Sequence, residues 1–124
     1  MKCQPIPIET WNQYKSGPFT IIVAQTPCER QQGLQGTKQL GTNTLVLFLD
    51  IKGGTYFHTQ NCFFAIDIIA LDNANKILKF WTAKPNLSST GPVPSGTARV
   101  LEANAGWLLT NDLKVGDIIP FIKV

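Results

Sequence analysis

The hydrophobic positions along the chain fall in short runs broken by turn residues, with little helical periodicity. Residues 1–18 are irregular, punctuated by Pro5, Pro7, Gly17 and Pro18. Phe19-Thr20-Ile21-Ile22-Val23-Ala24 follows and reads as a strand, rich in β-branched residues. Leu45-Val46-Leu47-Phe48-Leu49 is continuously apolar, the pattern of a strand buried on both faces. Thr55–His58 starts another strand, and residues 63–71 form the longest apolar stretch. Asp72-Asn73-Ala74-Asn75 is turn chemistry, so Lys76–Trp81 returns as the second arm of a hairpin. Strands are also expected at Ala98–Glu102 and Asp117–Ile122, the last one at an edge or bulge because Pro120 lacks an amide donor.

One helix start is explicit. Thr26-Pro27-Cys28-Glu29 is a capping box with proline at the first helical position. The Thr26 hydroxyl can accept from the Glu29 amide, while the Glu29 carboxylate reaches back to the Thr26 amide. The helix is expected over Pro27 to about Gln32, ended by Gly33 in a left-handed conformation. A further short turn is placed at Thr37–Leu40. Close-spaced strands, one short capped helix and no βαβ rhythm predict a mostly β fold, a small β-barrel or sandwich. The expected organisation is an irregular segment 1–18 and a single β-rich domain over 19–124.

Composition narrows the functional classes. The 124 residues suffice for one core, and charged residues make up only 15%, so a charge inside an apolar run is informative. The net charge of +3 is spread over scattered lysines without a phosphate-tracking stripe, so no nucleic-acid partner is expected. No run approaches the ~18 apolar residues of a membrane span, and no membrane partner is expected. The N-terminus lacks an apolar signal core, which places the chain as given in the cytoplasm, or in a secreted or periplasmic compartment if a signal was removed. Cys3, Cys28 and Cys62 are compatible with one disulfide and a free thiol or with three reduced thiols. With a single histidine and no C-x-x-C pair, no metal and no other cofactor is expected.

The pattern Thr26-x-x-Glu29-Arg30-x-x-Gly33-Leu34 resembles the opening motif of the domain-of-unknown-function family 192. The run 45–49, the block Phe57-x-x-x-Asn61-Cys62-x-x-x-Ile66-Asp67-Ile68-Ile69-x-Leu71-Asp72, and Ala98-Arg99-Val100-Leu101-Glu102-x-x-Ala105-Gly106 with Gly116-Asp117 are similar to its later elements, in order. The resemblance implies a compact β-rich domain and carries no activity. Gln35, Thr59, Cys62 and Ala65 depart from the family pattern, making residues 58–62 more polar than usual.

Candidate site residues follow from polar groups in apolar settings. Asp67 shares a strand face with Phe63, Ala65, Ile69 and Leu71, so it is expected to be buried and paired, with Arg30 as the favoured partner. Its alternative role is a carboxylate lining a pocket. Glu102 raises the same question beside Ala98 and Val100. His58, Thr59, Gln60 and Asn61 form a polar edge between apolar strands, where small β domains orient ligands. Trp81 precedes the 84–96 loop and offers a stacking surface or core packing. Cys28 and Cys62 are weak candidates for reactive thiols. Thr26, Glu29, Arg30 and Gly33 are assigned structural roles. No catalytic residue is assigned, and no phosphate cradle or nucleophile–base arrangement is present. The favoured function is a non-catalytic module binding a small molecule or partner through His58, Gln60, Asn61, Asp67, Glu102 and Trp81. The alternatives are a hydrolase or transferase using Asp67 and Glu102 as a carboxylate pair, and a structural or assembly protein.

Overall fold

The computed structural model describes residues 3–123. Its framework is one sheet of six strands: β1 (Gln13–Ser16), β2 (Phe19–Ala24), β3 (Thr44–Phe48), β4 (Ile66–Leu71), β5 (Ile77–Ala83) and β6 (Arg99–Asn104). The strand order is β1-β2-β3-β6-β4-β5, and the sheet does not close. The mostly β expectation therefore stands, but the architecture is an open sheet whose two faces are covered by loops and short helices. The N-terminal segment contributes more than irregular chain. Residues Ile8–Thr10 form a 3-10 turn, and β1 pairs antiparallel with β2 through a turn at Gly17.

The capping box forms as expected at α1 (Pro27–Gln32). The Glu29 amide donates to Thr26 Oγ1 at 3.1 Å, and the Thr26 amide donates to Glu29 Oε1 at 3.1 Å. Gly33 ends the helix at φ 53°, and a Cβ added there would meet the Phe48 ring at 3.4 Å. Glycine relieves both constraints at once. Helix α1 lies in the crossover between β2 and β3, which pair in parallel. This is a βαβ connection, which the sequence reading had excluded. The long irregular run after α1 hid it, since hydrophobic periodicity marks strands but not their direction.

Side chains alternate between the faces. Ile22, Ala24, Val46, Phe48, Ile66, Ile68, Ala70 and Val100 build one core, covered by Ile8, Trp11, Leu34, Leu40, Ile51, Phe57 and Val93. Ile21, Leu45, Leu47, Ile69, Leu71, Leu101 and Ala103 build the other, covered by Trp107, Leu108, Ile119 and Ile122. Trp107 and Leu108 belong to a second short helix, α2 (Trp107–Thr110), that sequence analysis missed.

Two expected strands do not form. Thr55–His58 reduces to a single bridge between Tyr56 and Pro92, and Asp117–Ile122 to one between Lys76 and Ile118. In the latter segment Ile119 and Ile122 point into the second core instead of extending the sheet. The β4–β5 hairpin is present, its turn held by Asp72 Oδ1 accepting from the amides of Ala74 and Lys76, each at 2.9 Å.

Candidate functional site

The first face of the sheet carries a cavity of ≈ 430 Å³. Its walls come from α1 and the turn behind it (Arg30 to Gln35), the loop after β3 (from Asp50 to Phe57), His58, Thr59, Gln60 and Cys62. Its floor is the sheet itself, through Phe48, Ile66 and Glu102. The volume falls within the range of small-molecule pockets, with apolar side chains such as Phe48, Ile51, Phe57 and Ile66 beside polar and charged ones such as Arg30, Lys52 and His58.

Glu102 is the unusual group. It sits mid-strand on β6, flanked across the ladders by Val46 of β3 and Ile68 of β4, and is only 3% exposed. No hydrogen bond or ion pair to its carboxyl is made among the described residues, and burial pushes its pKa up to about 8. A buried acid without a partner keeps its proton, because desolvation disfavours the charged form. Cys62 stands on the same wall. Its thiol donates to the Phe64 carbonyl at 3.3 Å and is raised in pKa, chiefly by burial and further by the Glu102 charge.

The polar wall at 58–62 is built around Thr59, which is 2% exposed. Its hydroxyl donates to the Lys84 carbonyl at 2.7 Å and accepts from the Leu87 amide at 2.8 Å. Its backbone donates to Leu87 at 2.9 Å and accepts from Asn86 at 2.8 Å. The 84–96 loop is thereby stitched to the outside of the cavity wall, and none of its residues lines the cavity. Thr59 is thus the knot joining two loops. Next to it, His58 Nδ1 accepts from the Gln60 amide at 3.2 Å, a local turn that faces both side chains to the cavity.

Among the sequence-predicted candidates, His58, Gln60 and Glu102 meet in this cavity. Asn61, Asp67 and Trp81 do not line it. Asn61 holds φ 57°, its amide donating to Asn86 Oδ1 at 3.2 Å and its carbonyl accepting from the Gly36 amide at 2.8 Å. Trp81 packs on the first core, with Lys79 Nζ 5.3 Å from its ring centroid. Asp67 is buried as expected, but Arg30 is not its partner. Its Oδ1 accepts from Thr82 Oγ1 at 2.7 Å and from the Gly106 amide at 3.1 Å, and its Oδ2 accepts from the Leu108 amide at 3.0 Å. Asp67 therefore caps α2 from another strand, satisfying amides that a helix start leaves open. Arg30 lies across the sheet, at the cavity, with Nη1 donating to the Gln25 carbonyl at 2.6 Å.

The carboxylate-pair reading fails on the same geometry. Asp67 stands opposite Ala103, and Glu102 opposite Ile68, so the two acids face opposite sides of the sheet. Cys28 is not a free thiol but is bonded to Cys3, tying the N-terminal segment to α1, while Cys62 is buried and free. Cavity residues that sequence analysis did not select for binding include Arg30 on α1 and Lys52, Tyr56 and Phe57. The last three come from a loop without periodicity, so only its closure over the sheet reveals them. No helix among the described residues is long and apolar enough to cross a membrane.

No curated protein matches the chain. Two solved structures share its fold. A protein of unknown function from Novosphingobium aromaticivorans DSM 12444 is 26% identical with a TM-score of 0.74, covering 81% of this chain and 73% of that one. A putative transcription regulator from Sinorhizobium meliloti 1021 is 24% identical with a TM-score of 0.70, covering 81% of this chain and 79% of that one. Residues 9–121 match the model of the domain-of-unknown-function family 192, described as an uncharacterized ACR. The chain belongs to that family.

Proposed function

We propose that the domain is a non-catalytic module that binds a small molecule in the cavity between α1, the 50–62 loop and the sheet. The observation that carries this reading is Glu102, a carboxyl 3% exposed and without a protein partner among the described residues, set beside Phe48 and Ile66 at the floor of a cavity with a polar rim. The carboxyl opens only onto the cavity and has no protein partner among the described residues, so a ligand there can supply its hydrogen bonds. His58 and Gln60 at the wall offer polar groups to orient the ligand.

The Cys3–Cys28 disulfide supports work in an oxidising compartment over the reducing cytoplasm.

A thermal-shift screen of metabolites, sugars, nucleotides and amines, followed by amide NMR titration of each stabilising compound, tests the binding reading. Shift changes are expected at residues 30–35, 50–60 and around Glu102. Changes confined to the α2 face, or a screen without any stabilising compound, would refute it.

A further inference from the structure

Resting on that binding reading, we propose that the ligand is a small organic cation of the amine or amidine class, its charged nitrogen docked on the Glu102 carboxyl and its apolar body lying against Phe48, Ile51, Phe57 and Ile66. The four apolar residues and Glu102 line one continuous cavity, with the carboxyl at the sheet floor. Both carboxyl oxygens lack a donor among the described residues, and a nitrogen head group with two or more N–H donors satisfies both at once. A neutral or anionic acceptor would take only the one carboxyl proton.

The protein's own cations do not fill this role. Arg30 lines the cavity but commits Nη1 to the Gln25 carbonyl, and neither Arg30 nor Lys52 forms an ion pair with Glu102. The titratable and charged groups facing the cavity besides Glu102 are Arg30, Asp50, Lys52, Tyr56, His58 and Cys62. The Glu102 charge adds to the burial that raises the Cys62 thiol.

Binding of a cation has a consequence in protons. Burial holds Glu102 protonated at neutral pH, with a pKa of about 8. Docking a cation moves the carboxyl to its ionised form, the proton leaves to solvent, and the ion pair remains. Because the pKa lies near neutrality, ionising the group weakens binding only about tenfold, which contact with a desolvated cation outweighs.

Isothermal titration calorimetry with benzamidine, benzamide and benzoate, in phosphate and in MOPS at neutral pH, tests the proposal. Benzamidine is expected to bind at least about tenfold more tightly than neutral benzamide and to release close to one proton. The release should vanish at about pH 9.5, where Glu102 is already ionised. Glu102→Gln should abolish both the preference and the release. Proton release by the unaltered protein is read without any variant, so a misfolded Glu102→Gln leaves the test intact. Equal binding of benzamidine and benzamide without proton release, tighter binding of benzoate, or no binding of any of the three would overturn the cation assignment. The metabolite screen separates the two readings: a stabilising neutral or anionic compound that shifts the cavity amides retains the binding module and removes the cation.

Discussion

Asp67 and Glu102 lie one register step apart on paired strands β4 and β6, yet their carboxyl groups occupy opposite faces of the sheet. Asp67 is saturated with three hydrogen bonds, from a threonine hydroxyl and two amides. Glu102 has none among the described residues. Similar burial, 1% and 3% exposed, thus gives two different chemical groups: a hydrogen-bonded helix cap and a neutral acid. The contrast follows from what lies above each face, since α2 presents amides and the cavity presents space.

The cap role of Asp67 is testable by substitution. Asp67→Asn removes the charge and one of the acceptor oxygens, leaving an amide of α2 or the Thr82 hydroxyl without its partner. A loss of about 1–3 kcal/mol is expected in urea denaturation. An unchanged midpoint would show that the cap contributes nothing.

Glu102 should make stability fall as pH rises. Its pKa in the folded chain, about 8, lies above the ordinary 4.5, so between these values the folded state holds a proton that the unfolded state has released. The contribution is complete below about 4.5, declines through the window and is gone above about 8. Glu102→Gln removes this dependence. The difference in unfolding free energy between the two proteins, followed across the window, should therefore tilt towards the variant with increasing pH. A constant difference would rule out a protonated Glu102.

Reduction of Cys3–Cys28 should destabilise the fold by about 3.5 kcal/mol, the loop-closure estimate for a sequence separation of 25. Thermal melts with and without reductant measure this directly. Under the same native conditions Cys62 should resist a thiol reagent, being buried with a raised pKa. Fast modification of the oxidised protein would contradict that placement.

Thr59→Val keeps the shape but deletes the hydroxyl that joins Lys84 to Leu87 across the wall. The expected cost is about 1–3 kcal/mol, with hydrogen-exchange protection lost first at the Leu87 amide. Uniform loss of protection across the sheet would indicate a global effect and refute the local one.

Much of this fold was legible because its signals are local. The capping box of α1 is written in four consecutive residues, and β2, β3 and β4 in unbroken apolar runs. Helix α2 was not legible for the opposite reason. Its cap is Asp67, far away in sequence, and its N-cap position is Gly106 with no side chain to announce it. The parallel β2–β3 pair and the open edge were hidden likewise, since strand order is fixed by which core faces fit together. At the candidate site, sequence analysis selected Glu102, His58 and Gln60, and these three line the cavity. It grouped Asp67 with them because an acid in an apolar strand looks alike on either face until the covering elements are known.

The Cys3–Cys28 bond bears on how the molecule can be instrumented. Around it, the Ile6 amide donates to Gln32 Oε1 at 2.9 Å and Gln32 Nε2 donates to the Ile6 carbonyl at 2.7 Å, so the N-terminal segment lies beside the helix that walls the cavity. At the other end, the Lys123 amide donates to the Tyr14 hydroxyl at 2.9 Å, on edge strand β1 beside the second core. A fluorophore attached near residue 4 would sense occupancy of the cavity. The same label at residue 123 would sit away from it and serve as the built-in reference.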